Sequence, residues 1–227
     1  MLSRSAKAAY YAALGPAMAL NGWLYRSIRA PSASAASPVR VHLGPGQQRY
    51  IPGWINVDAN FITGKCDVWA DLNNRLPFRD GTIDALYSHH VVEHLADLPG
   101  HLREAFRILK PGGVYRVGGP NGDSAIARFA AGDHAWFYDW PDRYESIGGR
   151  FVNFVLCRNE HLTLLTESFL TEIAGRAGFA DGHTVVPTRE TRYPKYFEDC
   201  LVHEHEENFD YPRTLLMEFV KAGKVAE

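Results

Sequence analysis

Residues 39–58 read VRVHLGPGQQRYIPGWINVD, and this stretch decides the fold. A β-branched run over 39–43 stops at Gly44-Pro45-Gly46, and a second short run over 54–57 stops at Asp58. Pro52-Gly53 break the interval, so the pattern predicts two strands with no full helix between them. A dinucleotide site wants three spaced glycines opening a helix, with an acid about 20 residues further on. Here Gln47, Gln48 and Arg49 follow Gly46, and Asp58 comes 12 residues after it. Pyrophosphate binding is therefore disfavoured. Glycine amides after the first strand suit a carboxylate, and an acid ending the second suits the hydroxyls of a ribose.

Outward from this pair, the alternation continues. Strands are expected over 67–70, ending at Asp71, and over 82–87, ending at Ser88-His89. Leu98, Leu102, Ala105, Phe106 and Leu109 recur at helical spacing until Lys110-Pro111-Gly112-Gly113 stops them, and another strand is expected over 114–117. Such an order implies a mainly parallel sheet, with ligands outside the carboxyl ends of its strands. Asp71 is placed there to accept from an exocyclic amine such as adenine N6. A ligand with a carboxylate, a ribose and an adenine but no phosphate fits all three groups.

The series LGPG (43–46), NVD (56–58), ADL (70–72), LPF (76–78), IDALYSHHVVEHL (83–95) and REAFRILKPGG (103–113) resembles class I S-adenosylmethionine (SAM)-dependent methyltransferases. The segment PGWINVD (52–58) is similar to that of small methyltransferases associated with polysaccharide or glycan biosynthesis. The likeness is strong over 40–120 and continues weakly through LTEIAGRAGF (170–179) and TLLMEFV (214–220). It implies an α/β, three-layer Rossmann-like sheet of seven strands, mostly parallel with an antiparallel final strand. It also implies SAM contacts at Gly44, Gly46, Asp58, Asp71 and Leu72, with Ser88 and His89 near the methionyl end. Gln48 stands where many such enzymes have a third loop glycine, and Pro45 removes one loop N–H.

For catalysis, the expected reaction is O-methylation of a small-molecule or glycan acceptor. His89, leaving the fourth strand beside the expected sulfonium, is the first candidate base, with His134 and His161 as further candidates. The segment 121–161 reads as an acceptor-side insertion, where Trp136, Tyr138, Trp140, Tyr144 and Arg150 offer faces for a sugar or pack on their own domain. His90, Glu93 and His94 match the H-x-x-E-H pattern of a zinc hydrolase, sharing a face if helical. The pattern is read instead as the turn after the fourth strand, and no metal ligand is expected. Residues 203–207, HEHEE, are read as a solvated acidic loop, and Asp84 as a structural acid. A catalytically silent protein on the same fold is the alternative function.

The 227 residues carry 24 Lys+Arg against 26 Asp+Glu, a near-neutral balance that argues against nucleic acid as partner. Hydrophobic residues at 46% and charged ones at 22% are the values of a globular enzyme. Three dispersed cysteines without CxxC spacing suggest a reducing, cytoplasmic location. Residues 1–40 hold five basic residues and no acid. The chain therefore divides into a basic apolar arm and linker over 1–38 and a methyltransferase domain over 39–227. The uncharged run 8–25 is interrupted by Gly15-Pro16 and Asn21-Gly22. Four readings stay open for it: a membrane span, an interfacial helix over 8–29 on the inner membrane surface, a leader cleaved near Ala33-Ser34-Ala35, or a helix docked on its own domain. An arm independent of the cofactor site predicts unchanged SAM affinity when 1–38 are removed.

Overall fold

The computed structural model describes residues 4–32 and 37–223. The Ala33-Ser34-Ala35 segment lies outside the described residues. Seven strands form one sheet in the order β3-β2-β1-β4-β5-β7-β6. They are β1 (Arg40–Leu43), β2 (Ile55–Asp58), β3 (Val68–Trp69), β4 (Ile83–His89), β5 (Leu109–Pro120), β6 (Phe179–Thr184) and β7 (Thr214–Lys221). The first five pair in parallel, and β7 runs antiparallel to both β5 and β6. This is the mostly parallel sheet expected, with the reversal at its carboxyl-terminal edge.

Between β1 and β2 the chain makes turns and no helix. Gly44 is required there: its φ is +72°, and a Cβ would lie 2.3 Å from Val91 Cγ2. Asn56 holds the loop in place from below. Its buried carboxamide accepts from Ile51 N–H and donates to the carbonyls of Ile51 and Trp54 and to Asp67. The Asn of the PGWINVD segment is thus a backbone clip that substitutes for a missing helix.

Helix α2 (Leu98–Ile108) starts at Asp97, whose carboxylate accepts from Gly100 N–H at 2.8 Å. It buries Leu98, Leu102, Ala105 and Ile108 against one face of the sheet. The strand that follows begins at Leu109 rather than at 114, because Lys110–Gly113 bulge out of the register between Ile83 and Ala85 without ending the pairing. Lys110 and the Val39 amide both donate to Asp84, which is a structural acid as expected.

The arm forms helix α1 (Arg4–Leu24), running through Gly15-Pro16 and Asn21-Gly22 and ending in a wide turn to Arg29. It lies along the edge strand β3. Met18 is buried, Asn21 donates to the Trp69 carbonyl, Tyr10 donates to the Ala59 carbonyl, and Tyr25 packs edge-on against Phe78. The helix thereby covers an edge that would otherwise expose unpaired strand groups. No helix among the described residues is long and apolar enough to cross a membrane.

Two buried histidines make stability depend on pH. Burial pushes His42 and His101 down to about 4, against the hydrogen bonds they donate to Asn56 Oδ1 and the Leu72 carbonyl, which favour the charged form. Both imidazoles stay neutral in the folded chain while the unfolded chain protonates near pH 6.5. Their contribution is complete above that value and is lost as pH falls towards 4. At pH 5 each is expected to cost about 2 kcal/mol relative to pH 7.5. Urea unfolding at the two pH values checks this, and equal unfolding free energies would contradict it.

Candidate active site

The carboxyl ends of β1 and β2 open into a cleft of about 760 Å³, within the usual range for a small-molecule site. Asp58 lines it, half-buried at the end of β2. One carboxylate oxygen accepts from Asn60 N–H at 2.7 Å and the other from Gly46 N–H at 2.8 Å. Burial raises the acid above the ordinary carboxylate range, partly offset by these backbone donors. Each oxygen keeps a lone pair for a hydroxyl, so the site fits a ribose held by both its hydroxyls.

The glycine loop behaves differently from expectation. Gly44 N–H donates to the Val57 carbonyl at 2.8 Å, and Gly46 N–H is taken by Asp58. Neither amide is free to receive a carboxylate, because both already serve the β1–β2 connection. Asp71 sits one strand over, accepting from the Asn73 amide and from the side chains of Asn73 and Asn74. Of this turn, Asn73 reaches the cleft wall. Leu72 is a core residue, and its carbonyl accepts from His101. Ser88 is fully buried within the sheet.

Sequence reading missed the far wall of the cleft, which comes from the arm. Lys7, Tyr10 and Tyr11 line it, and Lys7 ion-pairs with Glu160. Tyr11 is pushed up to about 12 by burial and by the charges of Asp71 and Asp58. The arm is therefore part of the pocket, which revises the expectation that its removal leaves the cofactor site untouched. Tyr10 carried a signal: its phenol hydroxyl needs an acceptor, which lipid tails do not supply and the Ala59 carbonyl does.

A second pocket of about 230 Å³ lies at the end of β4, lined by Arg49, His89, Tyr138, Trp140, His161 and Thr214 among others. Helices α3 (Gly122–Ala130) and α4 (Ile147–Leu156) frame the insertion. Tyr138 and Trp140 face this pocket, whereas Trp136 is buried in the insertion's own core with Phe137 and Tyr144 is exposed. Arg150 ion-pairs with Asp139. His134 is exposed and lines neither pocket.

His89 is buried, and its Nδ1 lies 2.8 Å from Arg49 Nη1. A guanidinium only donates, so Nδ1 accepts and Nε2 carries the hydrogen. Burial, followed by the charges of His90 and Arg49, holds this imidazole well below the ordinary range. With its Nδ1 lone pair committed to Arg49, His89 offers an Nε2–H and no free lone pair in this arrangement. Its buried Nε2 has no hydrogen-bond partner among the described residues.

The H-x-x-E-H segment is a 3-10 turn over Val92–His94, not an α-helix. His90, at φ +58°, bonds Glu93 at 3.3 Å and Thr214 at 3.0 Å. Residues 203–207 depart from the solvated loop expected. Glu204 and Glu206 are buried, the first against Arg116 and the second accepting from the Thr214 amide.

Residues 58–117 match the model of a methyltransferase domain. The fold is that of the SAM-dependent methyltransferases. Two solved structures of that description share it: one from Thermotoga maritima (16% identity, TM-score 0.53, covering 95% of this chain and 94% of the other) and one from Archaeoglobus fulgidus (16% identity, TM-score 0.52, covering 93% and 100%). In sequence, a Mycolicibacterium smegmatis protein named a "probable S-adenosylmethionine-dependent methyltransferase" is 44% identical over 46 residues. That match covers 20% of this chain and 18% of the relative.

Proposed function

We propose that this chain is a SAM-dependent methyltransferase acting on an oxygen of a small polar acceptor, with glycan intermediates as the favoured class. The observation that carries the reading is Asp58 at the tip of β2, in a cleft adjoining a second pocket walled by Tyr138 and Trp140. When bound, SAM supplies an electrophilic methyl group. Asp58 would hold the ribose, and the Asn73 turn would border the adenine. The methionyl carboxylate would need donors other than the two glycine amides. The aromatic faces of Tyr138 and Trp140 suit a pyranose ring. Positioning supplies much of the rate in such an in-line transfer. Incubating the protein with methyl-labelled SAM and size-fractionated cell extract tests the reading. Label is expected in the small, alkali-stable fraction. Label confined to protein or nucleic acid would overturn the acceptor class.

The arm supports peripheral membrane contact through 8–29. With its other face docked, α1 and the turn after it leave Leu20, Trp23, Leu24 and Ile28 exposed, beside exposed Arg29, Arg75 and Arg79. An apolar ridge with flanking arginines suits an anionic leaflet. Deleting 1–38 is expected to reduce both vesicle sedimentation and SAM affinity, the latter about tenfold. Trp23→Ser with Ile28→Ser should lose vesicle binding alone. Unchanged sedimentation of that double variant would remove the membrane reading.

A further inference from the structure

Between the two pockets lies a cluster that the transfer chemistry above does not use. Ligand-capable atoms of Glu93, His94 and His161 all lie within 4.8 Å of one another. His94 borders the large cleft and His161 the small one. Glu93 is 1% exposed, and its Oε2 has no hydrogen-bond partner among the described residues. Its ion pairs among the described residues are with His90 and His94, and neither Lys nor Arg compensates it.

The histidines are pre-set as ligands. His94 Nδ1 lies 2.9 Å from the Glu160 carbonyl and His161 Nδ1 lies 3.0 Å from the Val155 carbonyl. Carbonyls only accept, so both Nδ1 atoms carry hydrogens and Nε2 is the atom each ring has left to offer a cation. An Nδ1–H fixed on a backbone carbonyl is the usual support of a metal-bound imidazole. His94 Nε2 faces Glu93 Oε1 at 3.7 Å, so the imidazole and the carboxylate already converge on one point. The Leu162 amide donates to the Glu93 carbonyl at 2.7 Å, which ties the His161 segment to the Glu93 turn.

We infer that Glu93, His94 and His161 form a binding site for a divalent first-row cation, placed between the cofactor cleft and the acceptor pocket. Two imidazoles and one carboxylate favour zinc, manganese, iron or cobalt over magnesium or calcium, which prefer all-oxygen sets. Three atoms at most 4.8 Å apart surround a centre no more than about 2.8 Å from each. Bound cations sit at about 2.1 Å, so each ligand needs to close by less than an ångström. The arrangement differs from a zinc hydrolase: Glu93 is a ligand rather than the base, and His161 replaces His90 in the set. His90, bonded to Glu93 and Thr214, is a positioning residue. Three protein ligands leave coordination positions open for an acceptor hydroxyl, whose proton a cation would loosen. That use rests on the transferase reading, whereas the site itself does not.

The test uses full-length protein without a polyhistidine tag, stripped with chelator and titrated with cobalt(II), then zinc, in the absence of SAM. A single equivalent is expected by calorimetry, with visible ligand-field absorption from cobalt. His94→Ala and His161→Ala should each weaken binding at least ~10-fold, with unfolding temperature unchanged, and Glu93→Gln should do the same. His134→Ala should bind as wild type. Absence of uptake, or equal uptake by the His94→Ala/His161→Ala double variant, would overturn the site. Either result stands whether or not methyl transfer is detected.

Discussion

Arg116→Met is expected to lower the unfolding free energy by about 3–5 kcal/mol, the usual cost of stranding a buried charge. Arg116, Glu204 and Glu218 are all fully buried at their side chains. Arg116 meets Glu204 through two nitrogens at 2.8 and 2.9 Å and Glu218 at 2.6 Å. Glu218 is also its direct cross-strand partner in the β5–β7 pairing. The acids have secondary donors in the Thr188 and Arg192 amides and the Thr191 hydroxyl, so removing the guanidinium leaves two carboxylates partly bonded but uncompensated. For a domain of this size the loss corresponds to roughly 6–20 °C in Tm. Replacing all three residues by apolar ones of similar volume should recover most of it, since desolvation and attraction nearly cancel in such networks. Thermal and urea unfolding of the single and triple variants give the answer. A loss under about 1 kcal/mol in Arg116→Met would contradict it.

Asp58→Ala is expected to weaken SAM binding by about 1.5–3 kcal/mol, or ~10–150-fold, as for loss of a charged acceptor of two hydroxyls. The substitution also strands the Gly46 and Asn60 amides, which the carboxylate now holds. Both effects act in the same direction. Asp58→Asn keeps one oxygen acceptor and should fall between wild type and Ala. Calorimetric titration at pH 7.5 separates the three, and wild-type affinity in Asp58→Ala would end the ribose assignment.

Much of the architecture was legible along the chain. Alternation and helical spacing mark β1, β2, β4 and α2 to within a few residues, because a sheet face or a helix stripe must be apolar where it is buried. The missing helix between β1 and β2 was legible too, since Pro52-Gly53 fall in the middle of an interval too short to hold a helix on either side of them. Asp58 was legible as the acid at the second strand's end. By contrast, the glycine amides were assigned to a ligand, yet their partners are Val57 and Asp58. His89 was assigned as a base, but Arg49, 40 residues away, takes its lone pair.

Periodicity along the chain tells which side of an element is hidden from water, because that depends only on neighbours a few positions away. It does not tell what the hidden side touches. Tyr10 meets the Ala59 carbonyl, Lys7 meets Glu160 and Arg116 meets Glu204 across separations of 49, 153 and 88 residues. Those meetings follow from how the crossovers and the arm return to the sheet. Spacing therefore marked the strands along the chain and placed Asp58 at the end of the second, whereas their order in the sheet came from the fold. The closed wall of the cleft, the tautomer of His89 and the histidine–glutamate cluster came from the folded chain, where remote donors and acceptors had to find one another once water was excluded.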